Sequence, residues 1–115
     1  MAAVYVSNLV INGGTDFTQT FTLESSDSGS DFNLTGYRVD ALMRKHSGSS
    51  TSTVFATSIP DATGGNIQIS LGSSITTSLK PGRYVYDVVV TSNGGNGTKT
   101  RVIEGMALVR EGVTR

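Results

Sequence analysis

The side chains able to do chemistry in this chain are few and scattered. His46 is the only histidine, it sits in the polar loop RKHSGSS, and no serine lies in a nucleophile-elbow motif that could pair with it. One imidazole is too few for a histidine metal site, and the lack of cysteine excludes thiolate ligands and disulfides alike. The stretch Asp27 to Asp31, DSGSD, offers two carboxylates but lacks the further spaced acids and the bidentate Glu of a calcium loop. GGNG at Gly94 to Gly97 is followed by no helix, so it reads as a hairpin turn and not as a phosphate cradle. A glycosidase needs paired carboxylates in a cleft, usually with aromatic sugar platforms, and the chain has no Trp. No catalytic residue, metal ligand or cofactor site is assigned, and no enzymatic activity is expected.

Two acids do fall together. The stretch Gly82 to Val109 reads as one long antiparallel hairpin, with arms rich in Val, Ile and Tyr around Asn and Gly. With its turn centred between Gly95 and Asn96, Val88 faces Ile103, Tyr86 lies over Gly105, and Asp87 faces Glu104. A ring over a cross-strand glycine covers bare backbone. Facing carboxylates repel, so a cation is expected between them. Arg44 and Arg38, on the preceding long strand, are the nearest donors. A structural ionic cluster of Arg44, Asp87 and Glu104 is therefore expected, without a histidine or metal to give it a proton to move.

The other elements are short and mostly alternate. Val4 to Ile11 is a strand candidate, apolar at almost every position. Phe17 to Glu24 places Phe17, Phe21 and Leu23 on one face and threonines on the other. Tyr37 to Lys45 alternates in the same way, Thr53 to Ile59 gives a strand stopped by Pro60, and Ile67, Ile69 and Leu71 mark another. Ser73 to Lys80 is the one helical stretch, capped by Ser73 or Ser74, with Ile75 and Leu79 on one face and Pro81-Gly82 ending it. About seven strands at regular spacing, with one short helix, predict an all-β antiparallel sandwich of immunoglobulin-like type, formed as a single domain over residues 1–115.

Composition agrees with that class. Only 16% of residues are charged, against about 25% in typical proteins, while Ser and Thr number 15 each. Net charge is zero and no basic cluster appears, so no nucleic-acid partner is expected. No apolar run approaches a membrane span and the N-terminus does not resemble a secretion signal, which leads us to expect synthesis in the cytoplasm and no membrane partner.

Four stretches carry a resemblance: FTQTFTLE, DFNLTGYRVDALMR, GNIQISLGSSITTSLKPGRYVYDVVV and TRVIEGMALVREGVTR. Together they resemble small tailed-phage virion proteins whose immunoglobulin-like β-sandwich is similar to the N-terminal domain of phage baseplate upper proteins. The shared features are a Phe-rich strand, an LTGY turn into a strand ending in Arg, a Gly-Arg-Tyr-Val-Tyr-Asp strand, and the Val-Thr-Arg ending. The resemblance implies a non-enzymatic structural part of the virion, in the tail or baseplate, touching other virion proteins in multiple symmetric copies. Baseplate upper proteins continue into segments that hold receptor-binding proteins, whereas this sequence stops at Arg115, so an adaptor, connector or decoration role is expected. A capsid decoration (cement) protein and a carbohydrate-binding adsorption module are the alternatives. Attachment is expected through the termini: Tyr5 and Val6 in a first segment that is apolar on both faces, and Val113, Thr114 and Arg115 in the tail.

Overall fold

Alternation of apolar and hydroxyl-bearing residues sets the layers of this protein. In a computed structural model, which describes residues 5–23, 33–46, 48–50, 52–92 and 97–112, the elements are β1 (Tyr5–Val6), β2 (Leu9–Asn12), β3 (Phe17–Thr22), β4 (Arg38–Arg44), β5 (Thr53–Val54), β6 (Ala56–Asp61), β7 (Asn66–Leu71), α1 (Ser73–Ser78), β8 (Gly82–Thr91) and β9 (Lys99–Arg110). The smaller sheet is antiparallel in the order β3-β7-β6. The larger runs β9-β8-β4-β5, with β1 and β2 both added along the free side of β9. Phe17, Phe21, Ile67 and Ile69 of the smaller sheet share one core with Met43, Tyr86, Val88 and Ile103 of the larger. The result is an all-β sandwich of the expected immunoglobulin-like kind.

The β8–β9 hairpin has the expected register: Val88 opposes Ile103, Tyr86 opposes Gly105, and Asp87 opposes Glu104. Beyond Val88 the ladder slips, and Val89 opposes Arg101. Val102 is the extra residue of this bulge. Val102 and Ile103, adjacent in sequence, are both fully buried.

The N-terminal segment departs from expectation. Instead of one antiparallel strand over Val4 to Ile11, it gives two short strands, each parallel to β9. They are separated at Ser7 and Asn8, where the Asn8 side-chain oxygen accepts from the Met106 N–H at 3.1 Å and so fills a gap in the ladder. Leu9 and Ile11 face the core while Val10 and Asn12 face out. The segment is an edge strand, and only half of its apolar residues are needed inside.

Pro60 does not stop its strand but lies inside β6. β6 is the edge of the smaller sheet and its register shifts between Ser58 and Asp61, so the missing prolyl N–H breaks no regular ladder bond.

In α1 the cap is Gly72, without a side-chain cap. Asp16 accepts from the Ser73 N–H at 2.8 Å in its place. The buried helical residue is Thr76, and Ile75 is exposed. Thr76 is held inside by polar demand: its hydroxyl donates to Thr15 O at 2.7 Å and accepts from the Gly14 N–H at 3.1 Å. This short helix carries the chain from β7 in one sheet to β8 in the other.

The pairings give the sandwich two ends. Arg44, α1 and the start of β8 lie at one; Leu23, the turn after Asp61, Arg38 and Thr91 lie at the other.

Candidate functional site

The outer face of the larger sheet gathers the charged pair and most of the exposed apolar side chains. A groove of about 590 Å³ crosses it. Leu42 and Arg44 come from β4, Val85 and Asp87 from β8, Glu104 and Met106 from β9, and Val6 from the edge. Their common face follows from the period of two along each strand. Val6 is 69% exposed, and Val10, Met106 and Leu108 are exposed beside it. Aliphatic surface on an edge strand and its neighbour suits docking of another chain.

Asp87 and Glu104 oppose each other, and the cation that reaches both is Arg101. Its Nε lies 3.2 Å from Asp87 Oδ2 and its Nη1 3.7 Å from Glu104 Oε2. Arg44 shares the face, but its Nη1 donates to Ser49 O at 2.8 Å. The bulge explains the exchange. Uninterrupted alternation would have opposed Arg101 to Val90 on the core side, whereas the extra residue turns it outward next to Asp87. Sequence reasoning missed Arg101 for this reason; the adjacent pair Val102-Ile103 was the available signal.

These ion pairs are half-exposed, so screening leaves each worth at most about 1 kcal/mol. Arg101→Ala is expected to lower stability by no more than about that amount in a urea melt. A loss of several kcal/mol would show that the pair is stronger than its exposure allows. The groove residues include no serine, cysteine or histidine, and both carboxylates face a guanidinium. The arrangement suits recognition by shape and charge.

The other expected residues are distributed as follows. Tyr5 lies in β1 opposite Ile103, and Val6 opposite Glu104. Val113, Thr114 and Arg115 lie outside the described residues, as do all of DSGSD and the first three residues of GGNG. His46 is exposed, with its carbonyl accepting from the Ser49 N–H in a turn. Among the described residues, no three His, Cys, Asp or Glu side chains converge on a metal position, and no helix is long and apolar enough to cross a membrane.

No protein-family model and no curated protein sequence matches the chain. Among solved structures it is similar to the N-terminal domain of phage TP901-1 ORF48, with a TM-score of 0.56 at 11% identity over 90% of this chain and 85% of that one. It is also similar to AggA, the major subunit of aggregative adherence fimbriae type I from Escherichia coli, with a TM-score of 0.48 at 14% identity over 96% and 92%. A structure from work on multimeric cell-adhesive interactions of VGSC beta subunits gives 0.48 at 14% identity over 91% and 92%. At such identities the likeness is one of fold.

Proposed function

We propose that this protein is a non-enzymatic structural subunit of a tailed-phage particle, an adaptor, connector or decoration of the tail or baseplate. The observation that carries this reading is a fold shared, over 90% of the chain, with a domain of a phage protein. The sequence resemblance to phage virion proteins points the same way from separate grounds. The outer face supports it further, because an exposed apolar edge flanked by balanced charge fits a permanent place in an assembly.

The first attachment surface is the edge made by β1 and β2, where Val6 and Val10 stand out from the sheet. The tail from Val113 to Arg115 is the second. Removing residues 1–11 would be a poor test, because Leu9 and Ile11 belong to the core. Val6→Asp combined with Val10→Asp is expected to change folding stability by about 1 kcal/mol or less while sharply reducing the protein recovered with purified particles. A chain ending at Gly112 tests the tail separately. Gold-labelled antibody on intact particles checks the location: label at the tail supports the reading, label over the head makes the protein a capsid decoration, and particles without label overturn it.

A further inference from the structure

The two outer faces of the sandwich differ in chemistry. On the smaller sheet, alternation turns Thr18, Thr20, Thr22, Gln68 and Ser70 outward, a polar face that water can cover. The larger sheet turns aliphatic side chains outward, and its registers align them. Val10 opposes Leu108, Met106 opposes Val85, and Leu42 opposes Val54. Leu108 and Met106 are successive outward residues of β9, and Leu42 lies diagonally across from Val85, next to Asp87. The six form one stripe that crosses β2, β9, β8, β4 and β5, with Val85 on the middle strand at its centre. All are exposed except Leu42, which is half-buried. Five strands spaced about 4.8 Å apart, the longest about 33 Å, offer a face of up to roughly 800 Å². That is about the 800 Å² each partner contributes to a standard stable interface.

The charges next to the stripe differ between its two sides. On the side toward α1 stand Arg44, opposite Val85, and Arg83, opposite Leu108, with Arg110 beyond them at the end of β9. Among the described residues, neither Arg44 nor Arg83 has a carboxylate within ion-pair distance. On the other side Asp87 and Glu104 come first, and the single guanidinium of Arg101 serves both, which leaves the three together negative. Farther out, Asp40 is paired with Arg38, and Lys99 begins β9.

We propose that this face packs against the same face of a second copy, about a two-fold axis that runs along the stripe. Rotation about that axis exchanges the two sides, so Arg44 and Arg83 of each copy come over Asp87 and Glu104 of the other, where guanidinium and carboxylate pair well. An axis across the stripe would instead set Arg44 over Arg83 and acid over acid, which like charge disfavours. A second copy brings both the aliphatic stripe and the charge pattern that answers it. The contact is isologous and closes at two copies, with the sheets about 10 Å apart and the stripe dry between them. Val6 lies off the stripe, so the edge at β1 stays open. The inference goes beyond the virion reading and does not depend on it.

Sedimentation of the full chain over a range of concentrations tests it. The expected result is a mass that rises from 12.0 kDa to twice that value and no further. Val85→Glu sets like charges against each other on the axis and is expected to weaken association at least about tenfold, with the circular dichroism spectrum unchanged. Val54→Glu, on the exposed edge strand β5, gives the same reading if Val85→Glu does not fold. Arg83→Glu alone is expected to weaken association about tenfold, and adding Glu104→Arg to restore it, because the reversed pair again meets across the axis. A mass that stays at 12.0 kDa throughout overturns the proposal. So does a mass that climbs past two copies, association indifferent to Val85→Glu and Val54→Glu, or a double reversal that stays as weak as Arg83→Glu. Particle labelling decides the virion reading independently, so failure of one leaves the other standing.

Discussion

Gly105→Ala should lower the thermal midpoint by roughly 10 to 20 °C, the equivalent of about 2 to 3 kcal/mol in a domain of this size. A Cβ at this position would lie 2.2 Å from the Ser7 carbonyl oxygen and 2.9 Å from its carbon. Both are backbone atoms, so no side-chain rotation relieves the clash, and the link between β1 and β2 has to move. That displacement breaks the bond from the Ser7 N–H to Glu104 O at 3.0 Å and the Asn8 bond to Met106 at 3.1 Å. The Tyr86 hydroxyl, which donates to Ser7 O from across the hairpin, is left buried without that acceptor. Leu9 and Ile11 are loosened from the core with the strand that carries them. Amide exchange should therefore accelerate over residues 5–12 before it does in β4 or β7. Tyr86→Phe provides the comparison: it removes one hydrogen bond and keeps the ring packed on Phe55, so about 1 kcal/mol is expected. If Gly105→Ala melts like the parent protein, the close approach of Ser7 is wrong.

The same position shows what the residue pattern could reveal. A turn centred between Gly95 and Asn96 implies Tyr86 over Gly105, and the hairpin keeps that register from Gly82 to Val88, where a large ring needs a cross-strand space and a glycine provides one. The layers were legible for a similar reason: threonine alternating with phenylalanine allows only one face inward. The N-terminal segment was less legible, since Val4 to Ile11 is apolar almost throughout and conceals which residues face the core. Its parallel pairing depends on where the chain enters the sheet, which residue types do not encode. Pro60 misled because its cost depends on an edge location that only the assembled sheet defines. The apolar stripe was hidden by distance along the chain, as Val10, Val85 and Val54 align only when five strands take their registers. Arg101 was hidden by one inserted residue.

That inserted residue makes the sharpest division between pattern and fold. Strict alternation from Glu104 and Met106 would place Val102 on the outer face, where a lysine is harmless; the bulge places it inside, with no exposed surface. Val102→Lys is therefore expected to abolish cooperative folding at physiological temperature. An unpaired ammonium in the core costs several kcal/mol, and a domain of this kind has only about 5 to 15 kcal/mol to lose. Met106→Lys tests the other side of the division. Met106 is 45% exposed on the groove face, and its replacement should shift stability by about 1 kcal/mol or less. Both positions are even-numbered residues of one strand, so any account without a bulge predicts the same mild outcome for both. Circular dichroism melts of the two variants separate the alternatives. Equal melting would return Arg101 to the core side of β9 and dissolve its pairing with Asp87, whereas loss of fold in Val102→Lys alone fixes the guanidinium on the outer face, where it screens two carboxylates that would otherwise repel.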